Sequence, residues 1–100
     1  MVKKVIIIAG PTASGKSALA IAVAKEFSGV IINADSMQIY RQMSILTARP
    51  STEEMAQVEH RLYGILNADD PCSVGRWINL AIEEIQLAWD AGKLPLIVGG

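Results

Sequence analysis

The stretch that decides the fold is Gly10-Pro11-Thr12-Ala13-Ser14-Gly15-Lys16-Ser17, which matches the pattern G-x-x-x-x-G-K-[ST] at every fixed position. In this pattern the glycines let the backbone turn tightly and bring its N–H groups close to an anion. Lys16 adds an ammonium group that reaches the outer phosphates, and the Ser17 hydroxyl is placed to hold Mg²⁺. The stretch therefore predicts a loop that binds a diphosphate or triphosphate.

The segments on either side of this loop have the patterns of a strand and a helix. Val5 to Ala9 is a run of mostly β-branched residues, typical of a strand buried on both faces. Lys16 to Phe27 predicts a helix that ends at Gly29. This helix is apolar nearly all round, so we expect it to be deeply packed. The loop thus joins a buried strand to the positive end of a helix, as anion binding requires.

Two further strands are predicted downstream, at residues 30–32 and 95–98, both short and aliphatic. Residues 60–66 are compatible with either a short strand or an extended loop. Three strands that alternate with helices favour an α/β fold with a parallel sheet. Together with the loop, they predict one P-loop NTPase-like, three-layer α/β/α domain over residues 1–100.

Two more helices complete the predicted elements. Ser51 and Glu54 form a candidate capping box for a helix that runs to Glu59. A longer helix begins at Ser73 and stops at Gly92. Apolar residues at three- and four-residue spacing mark one face of this longer helix: Val74, Trp77, Ile78, Ala81, Ile82, Ile85, Ala88 and Trp89. We interpret its two tryptophans as core residues.

The amino-acid composition limits the classes of function that the chain can have. The chain has 100 residues, a net charge of −1 and 51% hydrophobic residues, so its overall charge does not attract nucleic acid. Cys72 is the only cysteine, which excludes an internal disulfide and a thiolate metal site. No apolar run reaches the length of a membrane span. We therefore expect a cytoplasmic protein, and we expect it to be a monomer.

Asp35 follows the second predicted strand at its carboxyl end, where ligands of open α/β sheets bind. A carboxylate at this position could accept a proton from an incoming nucleophile. It could equally cap a short helix that begins at Ser36. Position alone leaves both interpretations open.

Several motifs taken together resemble those of the tRNA dimethylallyltransferases. In that family the loop reads GPTASGK[ST], as it does here. The segments D-S-x-x-x-Y-[RK]-x-M, T-A-[KR]-P and H-[HR]-L follow, and a later strand ends in V-G-G-T. This chain matches the first three, in order, with Asp35 to Met43, Thr47 to Pro50 and His60 to Leu62, and it stops at Val98 to Gly100, one residue short of the threonine of the last. It departs from the family pattern at three positions: Gln42, Ser44 and Leu46.

The resemblance implies transfer of a dimethylallyl group from dimethylallyl diphosphate to N6 of the adenosine that lies 3′ of the anticodon in tRNA. By analogy the diphosphate lies on the loop with Mg²⁺, Lys16 stabilises the leaving pyrophosphate, and Asp35 is the general base. The tRNA contacts that it implies are Asp35, Ser36, Met37, Gln38 and Arg49. His60 is interpreted as a structural residue that forms a hydrogen bond.

The resemblance also implies that this chain is an amino-terminal fragment. Family members are longer and carry further strands and a helical insertion that binds tRNA, so we expect these 100 residues alone to have weak activity or none. Three alternatives remain open: a P-loop kinase of a small molecule or nucleotide, with ATP in the loop; a prenyltransferase that uses free adenylates; and a nucleotide-binding module without turnover.

Overall fold

Helices and strands alternate along the chain in a computed structural model that describes residues 3–9, 16–34, 52–63, 65 and 73–99. In chain order the elements are β1 (Ile6–Ala9), α1 (Lys16–Phe27), β2 (Gly29–Asn33), α2 (Thr52–Gln57), β3 (Glu59–Arg61), α3 (Val74–Asp90) and β4 (Leu94–Gly99). This alternation confirms the predicted α/β class.

The strands form one parallel sheet in the order β1-β4-β2-β3. The last strand in the chain therefore lies between the first two. The described part of the sheet has four strands, so the predicted count of three is one too low. The additional strand is β3, and its three residues, Glu59-His60-Arg61, are too few and too polar to give a clear strand pattern.

Helices cover both faces of the sheet, which confirms the three-layer arrangement. Successive side chains of a strand point to opposite faces, so β2 and β4 supply both layers. One layer contains Ala20, Ile21, Ala24, Ile31, Leu96 and Val98. The other contains Val30, Ile32, Leu62, Ala81, Ala88 and Ile97. α2 lies beside α1 on the first face, where Lys25 donates a hydrogen bond to Gln57.

The bounds of α1 match the prediction, but two expectations about it are wrong. The helix is not deeply packed, because only one of its faces meets the sheet and both Leu19 and Phe27 are exposed. Gly29 does not end the helix: Ser28 makes the turn with φ 53°, and Gly29 is the first residue of β2. A Cβ atom on Gly29 would lie 2.5 Å from Leu96 Cδ1. Glycine is therefore required here because helix and sheet approach closely.

α3 begins and ends where the sequence predicts. The hydroxyl of Ser73 caps it by accepting a hydrogen bond from the N–H of Arg76 at 3.1 Å, and Gly92 has φ 71° just beyond its end. The predicted apolar face is wider than the buried one. Ile78 and Ile82, which belong to it, are exposed.

β1 differs most from its prediction. It was expected to be buried on both faces, yet Ile7 is 73% exposed. Ile7 pairs with Ile97, so it lies on the same side of the sheet as α3. β1 is an edge strand of the described sheet, and nothing described there covers this side of it. Three large apolar side chains, Ile7 on β1 and Ile78 and Ile82 on α3, are thus exposed in the described part of the chain.

Candidate active site

The strands β1, β4 and β2 end at the same level of the sheet. Ala9, the last residue of β1, pairs with Gly99, and Asn33, the last residue of β2, pairs with Val98. The phosphate-loop motif begins directly after Ala9, and Asp35 follows Asn33 by two residues. The two predicted functional segments therefore leave the sheet from one edge. With β4 between them, their strands are about 10 Å apart, since neighbouring strands are spaced by about 4.8 Å.

α1 begins at Lys16, inside the motif. The backbone of Lys16 and Ser17 therefore forms the first turn of the helix, where N–H groups without helical partners point outward. The helix dipole adds positive potential at the same end. This is the arrangement that the motif predicts for binding phosphate.

Most of the predicted site residues lie outside the described part of the chain. These are Gly10, Pro11, Thr12, Ala13, Ser14, Gly15, Asp35, Ser36, Met37, Gln38 and Arg49, together with Ser51 and Cys72. Lys16 and Ser17 are described by their helical backbone only. The roles assigned to all these side chains stay predictions. The structure brings together the ends of the elements from which they emerge.

Asn33 is a functional candidate that the sequence analysis did not single out. It is 1% exposed, and its side chain is polar although its neighbours in the described core are apolar. Its side-chain amide Nδ2 donates to the carbonyl of Leu62 at 2.9 Å. Its own backbone carbonyl accepts a hydrogen bond from the indole Nε1 of Trp77 at 2.7 Å. A polar residue directly after three aliphatic strand residues was the available signal, but it resembled the start of a turn.

The next residue, Ala34, is also fixed to the sheet. Its N–H donates to the carbonyl of Val98 at 2.8 Å, so pairing with β4 continues one residue beyond β2. Gly99 lies directly against Ala34. β4 thus holds Ala34, the residue that precedes Asp35, by a hydrogen bond and by direct packing.

Leu62 has a backbone conformation that is uncommon for a leucine. Its φ of 66° is in the left-handed region, which costs a residue with a side chain on the order of 1–3 kcal/mol. Two contacts stabilise it: the side chain is buried in the core, and the carbonyl accepts the Asn33 amide. The predicted motif His60 to Leu62 therefore contains a residue whose role is to form the turn after β3.

The other two residues of this motif have structural partners. Nδ1 of His60 lies 2.9 Å from the carbonyl of Val58, an acceptor, so this nitrogen carries the proton. The contact agrees with the predicted structural role of His60. Arg61 forms two hydrogen bonds with the Glu84 carboxylate, at 2.7 and 3.2 Å. The hydrogen bond that Arg61 donates to the Glu84 carboxylate, more than the charge of that carboxylate, raises the pKa of Arg61, so this guanidinium remains charged.

A cavity of about 220 Å³ lies between β3 and α3, away from the carboxyl ends of β1 and β2. Its charged lining consists of two opposite-charge pairs, Arg61 with Glu84 and Lys93 with Glu59. Because the charges balance, the cavity has no clear preference for an anion or a cation.

No three histidine, cysteine, aspartate or glutamate side chains among the described residues cluster closely enough to bind a metal ion. None of the described helices combines the length and the apolar character needed to cross a bilayer.

Comparison with known proteins agrees with this geometry. The family model described as IPP transferase matches residues 38–100. The chain is 59% identical over 95 residues to a tRNA dimethylallyltransferase from Rhodospirillum rubrum, covering 95% of this chain and 29% of that protein. It is 56% identical over 99 residues to a tRNA dimethylallyltransferase from Parvibaculum lavamentivorans, covering 99% and 32%.

Solved structures show the same fold. The full-length tRNA isopentenylpyrophosphate transferase from Bacillus halodurans matches with a TM-score of 0.93 and 41% identity, over 98% of this chain and 32% of that one. A eukaryotic dimethylallyltransferase acting on tRNA matches with a TM-score of 0.93 and 35% identity, over 98% and 24%. The chain spans 29% to 32% of the length of the two curated relatives named above.

Proposed function

Since the chain belongs to the IPP transferase family, we propose that it forms the phosphate-binding part of a tRNA dimethylallyltransferase. The whole protein would transfer a dimethylallyl group from dimethylallyl diphosphate to N6 of the adenosine 3′ of the anticodon. The names of the relatives support this reaction, and the motifs of the sequence agree with it.

One observation carries the proposal: the strands that lead to the phosphate loop and to Asp35 end at one level, with β4 between them. The ends of β1 and β2 are about 10 Å apart. This distance leaves space beyond the end of β4 for a diphosphate and an acceptor group. Two segments that bordered each other directly would leave no such space. The geometry therefore favours a reaction between a phosphate-bearing donor and a second, separate substrate.

The proposed chemistry divides between the two segments. N6 of the adenosine attacks C1 of the dimethylallyl group, the C1–O bond breaks, and pyrophosphate departs with the bonding electrons. Backbone N–H groups of the loop and the ammonium of Lys16 stabilise its developing charge. The Asp35 carboxylate accepts the proton that N6 loses. Asp35 to Gln38 and Arg49 would contact the tRNA, whose target base must leave its stack to reach the site.

The motif fits a magnesium ion because the first turn of α1 contains Ser17, whose hydroxyl is a hard oxygen ligand of the kind that Mg²⁺ prefers. When bound, Mg²⁺ would neutralise charge on the diphosphate. Lys16 and the loop amides would still orient the diphosphate by direct contact.

We further propose that the rest of the protein completes the domain at β1. The exposure of Ile7 on β1, the edge strand of the described sheet, supports this, because an exposed apolar edge strand is normally covered. A helical insertion would then bind the tRNA. The 100 residues alone would have weak activity or none, and the whole protein would act as a cytoplasmic monomer.

The test is a prenylation assay with the whole protein, dimethylallyl diphosphate and a tRNA anticodon stem-loop. Lys16→Ala should weaken diphosphate binding and lower kcat. Asp35→Ala should lower kcat, at least about 100-fold, but leave diphosphate binding nearly intact, since general-base catalysis contributes about 10²–10⁴-fold. Near-parental turnover of Asp35→Ala would show that the assignment of the base is wrong.

Control variants that remove the same types of side chain are available on α1 and α3. Lys25→Ala removes a lysine from the other end of α1, and Asp90→Ala removes an exposed carboxylate at the end of α3. Both should retain activity. Phosphoryl transfer from ATP to a metabolite, with dimethylallyl diphosphate inert, would instead support the kinase alternative. Prenylation of free AMP but not of the stem-loop would support the adenylate alternative.

A further inference from the structure

Three segments that are distant in the chain bind the carboxyl end of β2. Asn33 donates to Leu62, which follows β3, and accepts from Trp77, which lies in α3. Ala34 donates to Val98 of β4. The hydrogen bonds of Asn33 span 29 and 44 residues of sequence. The end of this strand is therefore held from β3, from α3 and from β4 at the same time.

Burial makes the loss of these hydrogen bonds costly. Asn33 is 1% exposed, so water does not replace a lost partner of its amide. The Trp77 hydrogen bond is partly buried, and the indole ring packs in the layer formed by α3 and the sheet. Besides the pairing with β4, these two hydrogen bonds therefore tie the last residue of β2 to the segment after β3 and to α3.

We propose that Asn33 and Trp77, together with the Leu62 carbonyl, are positioning residues that fix the end of β2 from which the chain continues to Asp35. This inference rests on the proposed function, in which Asp35 is the base. Only one residue separates Asp35 from Asn33, so a shift of the end of β2 would also shift Asp35. A general base must lie within hydrogen-bond distance of its proton, and a misplacement of about 1 Å can cost about 100-fold in rate.

A purely structural role is the competing explanation, and the chain contains a control for it. Trp89 is a second tryptophan of α3, and its Nε1 donates to the carbonyl of Lys4 at 3.0 Å. Lys4 precedes β1, at the opposite end of the sheet from Asp35. Trp77→Phe and Trp89→Phe each remove one indole-to-carbonyl hydrogen bond from α3, but only the first affects the end of β2.

The experiment uses the whole protein and measures kcat, KM for dimethylallyl diphosphate and Tm. Trp77→Phe should lower kcat about tenfold or more and change the KM by less than about twofold, since the loop is untouched. Trp89→Phe should leave kcat unchanged at a temperature well below its Tm. Equal kcat values for the two variants would overturn the inference.

A double variant distinguishes this inference from the proposed function. If Trp77 acts through Asp35, then adding Trp77→Phe to Asp35→Ala should cause little further loss of kcat. Full additivity would mean that Trp77 does not act through Asp35. If Asp35→Ala alone keeps its activity, the proposed function fails in its choice of base.

Hydrogen exchange gives a readout that does not depend on activity. Peptides that cover residues 34–38 should exchange faster in Trp77→Phe than in Trp89→Phe, because the end of β2 has lost one of its anchors. Asn33→Ala should have the same effect if it folds. Unchanged exchange in Trp77→Phe would contradict the positioning role even if its kcat falls.

Discussion

A Cβ atom built on Gly99 would lie 2.8 Å from the Cβ of Ala34 and 3.3 Å from its carbonyl carbon. Gly99 is the last residue of β4 and Ala34 directly follows β2, so the contact lies at the carboxyl end of the two neighbouring strands. Real Cβ atoms do not approach so closely, so any side chain at position 99 must displace Ala34 or β4.

The first prediction follows from this contact. Gly99→Ala should destabilise the protein by about 1–3 kcal/mol through overpacking and lower the proposed prenylation activity of the whole protein, because Asp35 directly follows the displaced Ala34. Gly75→Ala is the matched control, since the nearest atom to its Cβ is 4.0 Å away. Alanine should stabilise α3 there by up to about 0.5–1 kcal/mol. Urea unfolding and kcat of both variants test this, and equal effects would contradict it.

The second prediction concerns the ion pair of Arg61 and Glu84. Its two hydrogen bonds and the half-buried carboxylate favour a coupling energy near the upper end of the usual 0.2–1 kcal/mol range. Lys93 and Glu59, at 3.5 Å with both side chains exposed, should couple by about zero. Double-mutant cycles of the two pairs make the comparison.

The conditions of this measurement also follow from the structure. Glu84 raises the pKa of Arg61, so the guanidinium is charged below its ordinary pKa and the pair loses its positive partner only as the pH rises above that value. Titration of Arg61 should therefore cause no change across neutral pH. The coupling should decrease with salt. A Lys93–Glu59 coupling that exceeds the Arg61–Glu84 coupling would show that geometry does not decide the ranking.

The third prediction tests whether further chain covers β1. Ile7→Ser should destabilise the whole protein by about 2–4 kcal/mol if Ile7 is buried there. In the 100-residue chain, where Ile7 is mostly exposed, the loss should be below about 1 kcal/mol. Ile32→Val is the control because Ile32 is fully buried, and it should cost about 0.5–1.5 kcal/mol in both. Equal losses for Ile7→Ser in both chains would exclude such a cover.

The fourth prediction concerns the cap of α3. Ser73→Ala should destabilise the protein by about 1 kcal/mol because the N–H of Arg76 loses its acceptor. Ser73→Gly should cost only a few tenths, since glycine is itself an acceptable N-cap. Thermal unfolding of both variants, measured side by side, decides between capping and a nonspecific effect of the lost hydroxyl. Equal destabilisation would argue against the cap.

Local chemistry made part of the fold predictable from the sequence. The helix from Lys16 to Phe27 follows a motif that requires a helix, and Ser73 and Gly92 are strong end signals for α3. β3 could not be assigned, because its residues pair with β2 but carry no alternating apolar pattern. Exposure of Ile7 was equally hidden, since it depends on strand order rather than on the residue itself.

The candidate site was predictable to a similar degree. The motif located the phosphate loop, and the observed start of α1 at Lys16 agrees with it. The hydrogen bond between Trp77 and Asn33 could not be predicted because it is tertiary: 44 residues separate them. An asparagine at the end of a strand and a tryptophan on an apolar helix face each have an ordinary explanation when read alone.

The central position of β4 has a consequence for biosynthesis. During translation, β1, α1 and β2 leave the ribosome before residues 94–99 are made, yet β1 and β2 do not pair with each other. β1 and β2 therefore cannot be joined in one sheet until β4 has been synthesised and inserts between them. A ribosome that stalls before Leu94 would display two unjoined strands with exposed edges, a target for chaperones and for aggregation.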